Sequence, residues 1–190
     1  MLNSQKIAAY FLHRASLEGR GISNLKIQKL LYYAQGLYLG LTDTKLFSDK
    51  IEAWDFGPVA VDAYHCYKSC GSENIPIPAR FEPEVFNEIQ TEVLDVVYKT
   101  FGHLSPYQLV IITHNEPPWK AHEISENRAD GKEITKNELC SYFKKFVPNE
   151  NYFEEFVLFA NDLIKDQVAT TELPEKIVSE EDFVNWARSG

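Results

Sequence analysis

The stretch LKIQKLLYYAQGLYLGL, residues 25–41, decides the fold. Ile27, Leu30, Leu31, Ala34, Leu37, Tyr38 and Leu41 recur at i, i+3, i+4 and i+7, the period of one face of an α-helix. Ser23 stands where an N-cap belongs. Lys26, Lys29 and Tyr33 fall on the opposite side. A stripe this continuous predicts a core helix, and the rest of the chain is read outward from it.

Before it, Ile7, Tyr10, Phe11 and Ala15 predict a first helix over 4–18, capped by Asn3 or Ser4 and stopped by Gly19 and Gly21. After it the period changes. Over 51–56, Ile51, Ala53 and Asp55 share one face and Glu52, Trp54 and Phe56 the other, which suits a short strand. Gly57 breaks the run, and Pro58 is suited to the first position of a helix reaching about Cys70. Alternate prolines make 72–78 a loop. A helix is expected from Pro83 to Gly102 with Phe86, Ile89, Val93, Val97 and Phe101 inward, then a short one opened by Ser105-Pro106 and ended before Pro117-Pro118. Thr135 and Glu138 have the form of a capping box before Leu139, Tyr142, Phe143 and Phe146. Residues 150–165 predict a last firm helix, and Ser179 can cap a terminal one carrying Phe183 and Trp186. The expectation is a mainly α chain, with at most a small β element around 46–56. Residues 1–149 would form one helical domain and 150–190 an acidic helical extension.

Charge narrows the function classes. The 190 residues carry a net −9 with pI near 5.1, which argues against a protein that lives on DNA, RNA or anionic lipid. Residues 151–190 hold three Lys/Arg against nine Asp/Glu, so −6 of the −9 sits there. No run approaches the ~18 apolar residues of a membrane span, and the polar N-terminal helix does not read as a signal peptide. Three cysteines, Cys66, Cys70 and Cys140, fit a reducing compartment better than a disulfide framework. A cytoplasmic protein is expected.

Motifs for catalysis are thin. Cys66 and Cys70 beside His65 lack the second ligand pair of a zinc site and read as small buried helix residues. Cys140 has no neighbouring base. His114, Glu116, Trp119 and His122 group polar and aromatic side chains, but no nucleophile elbow, HExxH or phosphate loop occurs. His114 reads as a C-terminal helix histidine and Pro117-Pro118-Trp119 as a rigid turn on the core. No enzyme activity, cofactor or metal is expected. Helices one and two could mimic a helix-turn-helix, yet the second offers only Lys26, Gln28, Lys29 and Gln35 to a groove.

Three segments in order carry a resemblance: LKIQKLLYYAQGLYLGL at 25–41, KLFSDKIEAWDFGPVAVDAY at 45–64 and LVIITHNEPPW at 109–119. Together they resemble the Panacea antitoxin domain family, which includes SocA-like and phage-associated GepA-like proteins. The likeness covers about residues 4–147. It implies a small, mostly helical bacterial or phage protein, encoded beside a toxin that it neutralises by direct binding. In SocA-like members it implies instead an adaptor that delivers the toxin to a protease. The corner of the family often carries Lys-Tyr where this chain has Asp55-Phe56, a change of base for acid that bears on partner choice.

Candidate partner-binding residues are therefore Trp54, Asp55 and Phe56 at the corner, where exposed aromatics can act as anchors. Glu154, Glu155 and Asp162 on the acidic helix could steer a basic toxin, and Phe183 and Trp186 could dock on a partner. Self-association is left open, and so is a DNA-binding regulator as the alternative class.

Overall fold

The computed structural model describes residues 2–146 and 152–168. The order is α1 (Ser4–Leu17), α2 (Asn24–Thr42), β1 (Ile51–Trp54), β2 (Gly57–Ala60), α3 (Val61–Tyr67), α4 (Glu88–Phe101), α5 (Pro106–His114), α6 (Pro117–Lys120), β3 (Glu123–Ser125), β4 (Arg128–Ala129), α7 (Lys136–Phe143) and α8 (Tyr152–Val168). The fold is mainly α, with two small antiparallel hairpins among the described residues.

Helix α2 is the axle. Ser23 accepts from the Lys26 backbone N–H at its start, and Asp43 in the left-handed region ends it. It packs on α1, α3, α4, α5, α7 and β2. Gly36 and Gly40 lie one turn apart facing α7. A Cβ on Gly36 would stand 2.1 Å from the Phe143 ring, and one on Gly40 would stand 3.0 Å from the Phe143 backbone. Small side chains let α7 close onto α2 here.

Burial extends right round α2. Lys29 and Tyr33, expected on the outer side, are 0% and 1% exposed. Tyr33 stacks on Phe101 at 3.9 Å between ring centroids. The polar residues of α2 serve the neighbouring backbone instead of water. Gln35 accepts from the Leu46 and Phe47 N–H groups and donates to the Phe47 carbonyl. Gln28 accepts from the Ala60 N–H, and the Lys29 ammonium donates to the Pro58 carbonyl. Buried polar groups need such partners.

Those bonds explain a correction at Pro58. It lies in β2, paired with Ala53, and α3 begins only at Val61. The extended 57–60 backbone meets Gln28 and Lys29 as partners, and proline costs the ladder no donor it could have used. Over β1 the expected alternation holds, with Ile51 and Ala53 buried and Glu52 and Trp54 half-buried. A second correction concerns α4. Pro83–Val85 is a separate turn, and the helix starts after Asn87, whose side chain makes a reciprocal capping box with Gln90. Ile89, one turn ahead of Val93, reaches past the end of the core and is 46% exposed. The capping box at Thr135 forms as its sequence predicts, and Ser105, read as opening a helix, makes a further one with Gln108.

Helix α8 packs on α4 and α5 and buries Phe156 and Ala160 in the common core. Phe156 meets Phe101 edge-on. No helix of the described residues is long and apolar enough to cross a membrane.

Candidate functional site

The β1–β2 hairpin turns through Asp55 and Phe56 into Gly57, whose φ of +92° is costly for other residues. A Cβ at Gly57 would also stand 2.8 Å from both Lys29 Cε and Thr113 Oγ1. Lys29 and Thr113 thus seat the hairpin from below. From the side, the Trp119 indole donates to the Trp54 carbonyl at 2.9 Å, and Trp119 is fully buried as expected. Segment 131–134 runs along the outer edge of β1, with Ala53 donating to the Lys132 carbonyl and Ile134 to that of Ile51.

The seat continues inward as a polar core. His114 is the last residue of α5, yet it is not a solvated cation on the helix dipole. Its ring stacks on Trp119 at 3.8 Å, nearly parallel, and pairs with Asn127 Oδ1 at 3.2 Å. Burial, with the Lys29 charge adding, holds its pKa down at about 4. Glu116, 1% exposed, accepts from the Tyr32 hydroxyl at 2.6 Å and the Tyr33 hydroxyl at 2.9 Å, with Tyr142 a third phenol on it. Burial raises its pKa to about 8 against the pull of those hydroxyls. None of these groups opens to solvent as a reacting centre. They fix the relative positions of α2, α5, α6 and α7.

What does open to solvent is a groove of about 1020 Å³ beside the hairpin. Trp54, Asp55 and Phe56 form one wall, the first turns of α2 and α5 another, with Tyr64, Lys68 and His103 around them. Trp54 and Phe56 are half-buried and Asp55 is exposed. Trp54 is held rigidly, its indole donating to Glu52 and its ring edge-on to Tyr64 at 4.7 Å. The corner that the sequence singled out is therefore one side of a concave, aromatic-lined surface, of a size that holds a ligand or a short peptide segment. Sequence reasoning missed the opposite wall, because Ser23–Lys26 and His103–Gln108 are remote in sequence and look like ordinary helix caps.

The other candidates lie elsewhere. Glu154 and Asp162 are exposed on α8 and do not line the groove; Glu155 belongs to the same helix. Phe183, Trp186 and the cap at Ser179 lie outside the described residues. Cys66 is exposed, not buried as expected, because α3 buries only Ala63 and Cys66 falls on its outer face with Asp62 and His65. All three cysteines are free thiols, and among the described residues no group of three or more His, Cys, Asp and Glu could hold a metal. The polar line of a recognition helix does not exist either, since Gln28, Lys29 and Gln35 are buried.

Comparison with known proteins places this architecture. Residues 27–120, from the core of α2 to the end of α6, match the model of the Antitoxin SocA-like, Panacea domain. Antitoxin SocA of Caulobacter vibrioides (strain NA1000 / CB15N) is 30% identical over 130 residues, which span 62% of this chain and 69% of that protein. The chain belongs to the SocA-like Panacea antitoxin family. Membership supports an antitoxin role and implies a toxin as partner. No solved structure matches the chain.

Proposed function

We propose that this chain neutralises a toxin encoded beside it by binding the toxin protein directly, and that the groove walled by Trp54, Asp55 and Phe56 is the contact surface. It acts as a binding protein and not as an enzyme. The observation that carries this is the groove itself: two half-buried rings on a hairpin clamped by Lys29, Thr113 and Trp119. Aromatic anchors already held in place cost little entropy on binding, which is how a small surface gains affinity.

Co-expression tests it. A neighbouring reading frame should arrest growth alone, be harmless with this chain and co-purify with it. Paired Trp54→Ala and Phe56→Ala substitutions should restore arrest while the protein stays folded by circular dichroism. Rescue undiminished by that double variant would remove the groove from the contact. Neutralisation without co-purification, with toxin levels falling, would replace blocking by delivery for proteolysis.

A further inference from the structure

The groove's charge is at odds with that of the chain. On a molecule of net −9, it is lined by Lys26, Lys68 and His103 and by a single acid, Asp55. That acid is already engaged, with Arg128 at 3.8 Å and the Ala129 N–H donating to it. The Lys26 ammonium faces a carbonyl, that of Gly102. Burial, and then Arg20, bring its pKa down to about 8 against the opposing pull of Glu18, which leaves it mostly charged at neutral pH. Lys68 is exposed and makes no ion pair with the described residues. The same groove is lined by the half-buried rings of Trp54 and Phe56, with Val59 and Leu104 buried behind its surface.

Resting on the toxin-binding reading above, we infer that the groove receives an acidic segment of the partner, one that pairs an Asp or Glu with an aromatic or aliphatic anchor. The carboxylate meets Lys26 and Lys68, and the anchor lies between Trp54 and Phe56. Complementary charge sets which segment enters and speeds its arrival. The partner's contact is acidic, the reverse of what the acidic C-terminal stretch suggests on sequence grounds.

The test pans a phage-displayed library of random dodecapeptides against the full chain, with the Trp54→Ala, Lys68→Glu double variant as counter-selection. Peptides that depend on the groove should be enriched in Asp or Glu near an aromatic residue. Asp→Asn and Glu→Gln versions should bind at least several-fold more weakly, and Lys68→Glu alone should weaken the best peptide by about three- to tenfold. Basic or charge-neutral peptides, or no groove-dependent peptide, would overturn the inference. A synthetic peptide of residues 169–190, which carries Glu180, Glu181 and Asp182 beside Phe183 and Trp186, is the second probe. Binding of that peptide tighter than any selected one would assign the groove to the chain's own C-terminal segment and overturn the partner assignment. A dimer of the full chain that Trp54→Ala dissolves would assign it to a second copy. Competition separates this inference from the one beneath it: an acidic peptide that fills the groove without displacing the co-purified toxin keeps the acidic specificity and removes the toxin-binding reading.

Discussion

Glu116 and His114 stand two residues apart in sequence and make opposite demands on pH. The Glu116 carboxyl titrates at about 8 in the fold against an ordinary 4.5. Between those values the folded state holds a proton that the unfolded chain has lost, so its stabilisation is complete below about 4.5 and falls as pH rises through 8. His114 titrates at about 4 against an ordinary 6.5. There the unfolded chain takes up the proton first, so that contribution is present above 6.5 and is lost as pH falls through 4. Above pH 6.5 the His114 slope is spent, and comparison with Glu116→Gln separates the Glu116 slope from that of Lys26, which titrates at about 8 against an ordinary 10.5. Denaturation of wild type and Glu116→Gln at pH 6.5, 7.25 and 8 should show wild type losing stability relative to the variant, by up to ~1.4 kcal/mol per pH unit. Parallel curves would mean that the buried carboxyl does not keep its proton. Gly57 is the other residue that decides locally. Gly57→Ala places a side chain at φ +92° and against Lys29 and Thr113, and should cost on the order of 1–3 kcal/mol. Thermal melting measures the loss, and an unchanged Tm would show that the corner can relax.

At the scale of elements, apolar periodicity made most of the fold legible. It placed α1, α2, α7 and α8, whose apolar residues recur at helical spacing, while α5 was legible from Ser105-Pro106 at its start and Pro117-Pro118 beyond its end, and caps such as Thr135–Glu138 state their own geometry in four residues. It misplaced Pro58 because the reason for an extended 57–60 lies on α2, thirty residues away, in Gln28 and Lys29. A lysine reads as solvent-facing from sequence, since nothing local shows that a carbonyl such as that of Pro58 will be waiting for it. The groove was half legible for the same reason: Trp54, Asp55 and Phe56 are contiguous, while its other wall is assembled by packing. Helix α8 allows a direct check. Phe156 is 1% exposed among Phe101 and Phe146, so Phe156→Ala should cost roughly 3–5 kcal/mol, the usual loss for a buried phenylalanine. A loss under about 1 kcal/mol, measured by urea unfolding, would make α8 an appendage of the helical core and not a part of it.

Across the whole molecule, the polar core and the groove divide the labour. Lys29, His114, Glu116 and the three tyrosines are buried and hold helices and hairpin in register, and the groove is the surface proposed above to bind. Net charge read from the sequence described the chain as a whole and missed a basic island of two lysines and a histidine, because a sum has no geography. The sharpest test of the account is the affinity of the purified full chain for its toxin, by titration calorimetry, in wild type and in the Trp54→Ala, Phe56→Ala double variant. If those rings anchor the contact, the double variant binds at least ~30-fold more weakly, the ~2 kcal/mol typical of a hot spot, while its Tm stays close to wild type. Equal affinity in a folded double variant would contradict the account, and the toxin would have to be held by another face of the molecule.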